Sequence, residues 1–147
     1  MLDWNNLQNY QESNRLEAKQ ALGGLPESIW ETYSAFANAE GGIILLGVEE
    51  LPDKALHALD LLDPEWLIED FWAILRNPDY VNRNILTEED VQIHIVDGKR
   101  IIAITVPPSE EIVYIGSDPY RGTYRRCGEG DYRCSREEVA VMLAISE

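Results

Sequence analysis

Basic residues are scarce in this chain: twelve lysines and arginines face twenty-seven aspartates and glutamates, for a net charge of −15. Nucleic-acid binders draw most of their affinity from neutralising phosphates. A uniformly basic face is therefore excluded, and the chain as a whole repels nucleic acid at long range. Cysteine and histidine are rarer still, two of each. Cys127 and Cys134 have no partner cysteine or histidine cluster near them in sequence. That argues against a tetrahedral zinc site and for reduced thiols in a cytoplasmic protein. His57 and His94 stand alone and receive no role. Long hydrophobic runs are missing too. Nothing approaches the ~20 apolar residues that span a bilayer, so no membrane partner is expected. The first residues lack the basic start and apolar stretch of a signal peptide. No internal repeat or low-complexity segment is present.

What is there is enough apolar material for a core. Hydrophobic residues make up 45% of the 147, with Trp4, Trp30, Trp66 and Trp72 among them. The length suits one domain over residues 1–147. Residues 3–11 read as a short amphipathic helix and Leu16 to Ala18 as a short strand. Pro26 suits the first turn of a helix that carries Ile29, Tyr33, Phe36 and Ala37 to Asn38. Gly41 and Gly42 stop it. Ile43 to Val48 does not alternate and suits a strand covered on both faces. Residues 49–63 read as acidic and irregular. Asp63 and Pro64 open a helix whose core face is expected to hold Trp66, Phe71 and Trp72. Val91–Val96 and Lys99–Val106 form a hairpin around Asp97-Gly98. Two short strands, Ile112 to Ile115 and Gly122 to Arg126, follow. Ser135 and Glu138 make a capping box for a last helix. The fold class expected is α+β, one mixed or antiparallel sheet with flanking helices.

Chemistry concentrates in two places. Residues 12–19 read E-S-N-R-L-E-A-K, and residues 34–50 read S-A-F-A-N-A-E-G-G-I-I-L-L-G-V-E-E. If residues 16–19 are a strand, Glu17 and Lys19 share a face, because side chains alternate with period two. Carboxylates at the mouths of two elements with one lysine beside them suit a cation and, through it or the lysine, a phosphate. The second place is the arginine cluster Arg121, Arg125, Arg126, Arg133 and Arg136, interleaved with Tyr120, Tyr124 and Tyr132. Arginine and tyrosine together grip a backbone and stack on bases. The structural alternative is a hairpin whose arginines pair with the chain's own excess acid. Gly41 and Gly42 are not a phosphate loop, which would precede a helix and need G-K-[ST]. There is no ATPase motif.

These segments, with G-T-Y-R-R-C-G over 122–128 and S-R-E-E over 135–138, resemble the Schlafen AlbA-like domain family, also described as DNA-binding or divergent AAA domains. The pieces fall in family order from residue 12 to 138. The resemblance implies an AlbA-like fold and a nucleic-acid-binding domain, the sensory or DNA-contacting part of a transcriptional regulator. Two alternatives stay open: a metal-dependent ribonuclease of Schlafen type, and a protein-interaction or assembly domain. For the ribonuclease, the resemblance maps a catalytic and metal-binding triad onto Glu12, Glu17 and Glu50, with Glu49 as the lesser third member. Mg²⁺ or Mn²⁺ would be the metal, and Lys19 would face phosphate. The third acid is aspartate in those enzymes and glutamate here. The bland alternative is that Lys19 pairs with Glu17 or Glu50 and organises the sheet edge. For nucleic acid, DNA or RNA, the expected contacts are Arg121, Tyr124, Arg125, Arg126 and Arg133. Schlafen cores look like two such domains side by side, so a homodimer is expected. Many family members continue into a winged-helix tail, so the chain reads as either an N-terminal part of a longer regulator or a stand-alone version.

Overall fold

Strand β1 (Leu16–Lys19) runs parallel to β2 (Gly42–Leu46), with Glu17 beside Ile44 and Lys19 beside Leu46. A parallel pair needs a crossover, and helix α1 (Ile29–Ala37) lies within it. The structure is a computed structural model that describes residues 2–146. Next to β2 lies β6 (Lys99–Val106), antiparallel, and next to β6 lies β5 (Val91–Val96), also antiparallel. The mixed sheet therefore has four strands in the order β1-β2-β6-β5. Asp97 and Gly98 both sit at positive φ, 52° and 74°, as the tight turn between β5 and β6 requires.

The run of apolar residues in β2 is explained by its two covered faces. Ile44 and Leu46 pack with Tyr33 and Phe36 of α1 and with Phe71. Leu45 packs on the other face with Leu16, Val48 and Ile101. At the end of α1, Gly41 has φ 78° and donates to the Phe36 carbonyl at 2.9 Å. A Cβ there would lie 2.7 Å from the Val106 carbonyl oxygen, so the glycine stop is also a packing requirement.

Several expectations need correction. The short helix expected over residues 3–11 is a 3₁₀ helix over Trp4–Asn9, kinked at Asn6. Pro26 lies ahead of α1, whose N-cap is Ser28. The Ile43–Val48 run is broken at Gly47, where φ is 83°. Its second part, β3 (Val48–Glu50), turns away and pairs with β4 (Leu56–Ala58). The segment 49–63 thus holds a small hairpin, whose strands are too short to show a period. Helix α2 (Pro64–Leu75) is capped by Asp63, which accepts from the Trp66 N–H at 3.0 Å. It packs through Leu67, Phe71, Trp72 and Leu75; Trp66, one position off that stripe, is 55% exposed.

The C-terminal part is less regular than expected. Residues 112–115 make only single bridges, Val81 to Ile115 and Tyr114 to Thr123. Two side-chain amides do the work of a neighbouring strand. Asn38 accepts from Val113 N–H at 3.0 Å and donates to its carbonyl at 2.8 Å. Asn82 accepts from Tyr114 N–H at 2.7 Å and donates to the Ile112 carbonyl at 3.0 Å. Residues Pro119–Gly122 are a helical turn, α3. A separate ribbon follows, β7 (Tyr124–Cys127) with β8 (Gly130–Arg133), so the fold adds two-stranded ribbons to the main sheet. Helix α4 (Arg136–Ser146) opens on the capping box: Ser135 N–H donates to Glu138 at 2.9 Å and Glu138 N–H to Ser135 Oγ at 3.1 Å. Among the described residues no helix is long and apolar enough to cross a membrane, and both cysteines are free.

Candidate functional site

The carboxylates of the N-terminal third gather along β1, an outer strand of the sheet. Alternation turns Leu16 and Ala18 towards the Leu45 side of the sheet, leaving Glu17 and Lys19 on the other face. Lys19 Nζ stands 3.8 Å from Glu17 and donates to Ser28 Oγ at 3.0 Å. Glu12, just ahead of β1, folds back and accepts from the Ala18 N–H at 2.9 Å. Its carboxyl is pushed up from 4.5 to about 7. Burial is the largest cause; the Ala18 N–H opposes it, and the charges of Glu17 and Glu50 add to it, Glu17 also sharing a hydrogen bond. Glu12, Glu17 and Glu50 therefore share one acidic neighbourhood. Glu49 points elsewhere, to His57 Nδ1 at 3.1 Å.

The neighbourhood does not fit a metal ion. Among the described residues no group of three His, Cys, Asp or Glu side chains is placed to hold one. The reason is visible in the partners. Glu17 already faces two cations, Arg126 at 2.8 Å and Lys19 at 3.8 Å. Glu50 lies 3.8 Å from Lys54. Two of the three carboxylates of the expected Mg²⁺ or Mn²⁺ set, Glu17 and Glu50, thus already pair with the chain's own cations.

Arg126 is a correction to the expected phosphate contacts. Its side chain is 0% exposed. Nε and Nη2 donate to the Ser13 carbonyl at 3.0 and 2.8 Å, Nη2 also to the Leu16 carbonyl at 3.1 Å, and Nη1 to Glu17 and Asp131 at 2.8 Å each. The guanidinium also lies 4.9 Å from the centre of the Phe36 ring. Burial alone would lower its pKa; Asp131 and Glu17 outweigh that and raise it. No outside phosphate can reach it. Asp131, Thr32 and Ser28 complete the network and were not singled out from the sequence. Thr32 donates to Asp131 at 2.6 Å and to the Ser28 carbonyl at 3.3 Å. Only the β7–β8 register, which sets Asp131 opposite Arg126, reveals the connection.

Alternation on the ribbon then separates the other candidates. Tyr124 and Arg126 face inward and are buried, while Arg125 faces out. The register sets Arg125 opposite Tyr132, and both are exposed. Arg125 pairs with Glu138 at 3.0 Å. Arg121 is 86% exposed, with Asp118 at 3.7 Å. Arg133 lies 5.9 Å from the Tyr124 ring centre, and the Tyr124 hydroxyl is the largest cause of its raised pKa.

A family model described as Schlafen, AlbA_2 matches residues 12–135, from Glu12 to the cap of α4. The chain belongs to the Schlafen AlbA_2 family. A solution NMR structure of the N-terminal domain of a RecG-related protein from Nitrosomonas europaea, named for an ATP-dependent DNA helicase, is 28% identical with TM-score 0.65. The match covers 91% of this chain and 94% of that one. The DIP2311 protein from Corynebacterium diphtheriae shares the fold at 22% identity and TM-score 0.58, over 86% of this chain and 23% of that one. No curated protein matches. Within the AlbA_2 domain, the motif S-A-F-A-N is structural: Ser34 and Asn38 tie α1 to Val113 and Tyr124.

Proposed function

We propose that this AlbA_2 domain contacts nucleic acid, and that it does so through the outer face of the β7–β8 ribbon. The carrying observation is the cross-strand pair Arg125 and Tyr132, exposed side by side where a cation meets phosphate and a ring meets a base. Arg133, opposite Tyr124, lies on the other face of the ribbon, and Arg121 lines a groove with Tyr124; both are exposed. Family membership and the RecG-related neighbour support the reading, which makes the domain the nucleic-acid-contacting part of a regulator. The net charge of −15 confines binding to this local patch.

The test is a titration against single- and double-stranded DNA and RNA, with and without Mn²⁺. Replacing Tyr132→Ala should weaken single-strand binding by roughly 1–3 kcal/mol, the contribution of one base stacked on a ring, and duplex binding less. Equal affinity of the variant for every probe would remove the ribbon from the interface. The nearness of Glu12, Glu17 and Glu50 is the one observation on the side of a Schlafen-type ribonuclease, and the cations already paired with Glu17 and Glu50 stand against it. Mn²⁺-dependent cleavage of the RNA probe, abolished by Glu12→Gln, would establish it; intact RNA would dismiss it.

A further inference from the structure

The two edges of the main sheet differ. The β1 edge is closed: Arg126 donates to the Leu16 and Ser13 carbonyls, and Ser13 bridges back to Leu16. The β5 edge is open, since among the described residues β5 has no backbone partner besides β6. Natural edge strands usually carry lysine, proline or a bulge that discourages pairing. Residues 91–96 read V-Q-I-H-I-V, with no charge and no proline, in a chain that is 27% charged. Ile93 is exposed, and Ile95 is 70% exposed.

A second apolar surface lies across β6, on the side away from β5. Ile95 stands opposite Arg100. Arg100 donates to the Leu61 and Leu62 carbonyls at 3.2 and 2.9 Å. Leu62 is 91% exposed and, with Trp66 and Leu22, lines a groove of about 460 Å³. An unpaired strand edge that itself bears exposed aliphatic side chains is the arrangement used for strand addition.

The surrounding charge selects the occupant. On β6, Lys99 stands opposite Val96, and Arg100, opposite Ile95, is paired with Glu65 at 3.5 Å, while Glu88, Glu89 and Asp90 precede β5 and Asp97 follows it. These acids exclude a phosphate backbone. They also oppose self-pairing. An antiparallel pair of copies with its two-fold on Ile93 would set Glu89 of each against Asp97 of the other. We propose that the β5 edge docks an extended segment of another protein, with aliphatic residues alternating with lysine or arginine. Its backbone continues the sheet, its aliphatic side chains lie beside Ile93 and Ile95, and its cations answer the acids at both ends of β5.

The probe is a capped eight-residue peptide of alternating valine and lysine, added to the full chain. Expected are binding, amide exchange in β5 slowed roughly tenfold, and no binding of a version N-methylated along one edge. Ile95→Asp, at an exposed position, should weaken binding roughly tenfold, although its added negative charge would strengthen any merely electrostatic attraction. Absence of binding, binding indifferent to N-methylation or to Ile95→Asp, or protection outside β5 would each overturn the proposal. A dimer by light scattering, with β5 protected before any peptide is added, would assign the edge to a second copy instead. Because the Val–Lys peptide involves neither Arg125 nor Tyr132, its failure leaves the nucleic-acid reading untouched, and the reverse holds.

Discussion

Arg126 of β7 reaches Glu17 of β1 at 2.8 Å, out of contact with solvent, and so fastens the C-terminal ribbon to the edge of the main sheet. The same guanidinium nitrogen holds Asp131 at 2.8 Å. Removing one member of a buried, hydrogen-bonded ion cluster leaves its partners charged and unpaired, at a cost of about 3–5 kcal/mol. Arg126→Met is therefore expected to lower the stability of the domain by that amount in urea unfolding. Arg126→Lys should rescue little, because one ammonium cannot span the Ser13 and Leu16 carbonyls and both carboxylates. A loss below about 1 kcal/mol in Arg126→Met would mean that the ribbon is not anchored here.

Glu12 makes stability depend on pH. Its carboxyl titrates at about 7 in the fold, against 4.5 ordinarily, so the folded state holds a proton that the unfolded chain releases. This contribution is complete below about pH 4.5 and is lost as pH rises through about 7. Glu12→Gln keeps an acceptor for the Ala18 N–H and removes the titration. Its unfolding free energy should be flatter than the wild type's across that window. Parallel curves for the two proteins would show that Glu12 is not held in the acid form.

Asn38 is expected to matter for stability rather than binding. Its side chain supplies the acceptor for Val113 N–H at 3.0 Å and a donor to the Tyr124 carbonyl at 2.9 Å. Each buried backbone group left without a partner costs about 1–3 kcal/mol. Asn38→Ala should thus lose about 2–6 kcal/mol in thermal or urea unfolding while leaving the exposed Arg125–Tyr132 face in place. A loss under about 0.5 kcal/mol would show that water replaces the amide.

These three residues also show where sequence reading succeeds and fails. The elements were legible where local chemistry dictates them: Asp97-Gly98 at the β5–β6 turn, Asp63-Pro64 at the start of α2, Ser135 and Glu138 before α4. The four-stranded sheet and its flanking helices follow from those signals and from the apolar run of β2. The β3–β4 pair was not legible, since three-residue strands show no period and the deciding event is the positive φ of Gly47. The nearness of Glu12, Glu17 and Glu50 was readable through the motif, but their partners were not. That Arg126 faces inward while Arg125 faces outward depends on where β7 begins, and a shift of one residue exchanges them. Asn38 taking the place of a strand is likewise a tertiary fact.

The exposed arginines give the nucleic-acid reading a quantitative signature. Among the described residues, Arg125 is held only by an exposed pair with Glu138, and Arg121 only by Asp118 at 3.7 Å. Surface pairs of this kind contribute about 0–1 kcal/mol, so either side chain can swing to a phosphate at little cost. Each phosphate neutralised adds ~0.9 to the slope of log affinity against log salt on B-DNA and ~0.7 on single strands. Arg121→Ala combined with Arg125→Ala should reduce that slope by up to ~1.8 and ~1.4 respectively. Glu138→Gln works in the opposite direction: it releases Arg125 and removes a nearby negative charge, so affinity at low salt should rise. An unchanged slope in the double variant, with affinity indifferent to Glu138→Gln, would place any nucleic-acid contact elsewhere on the domain and leave the ribbon as scaffold.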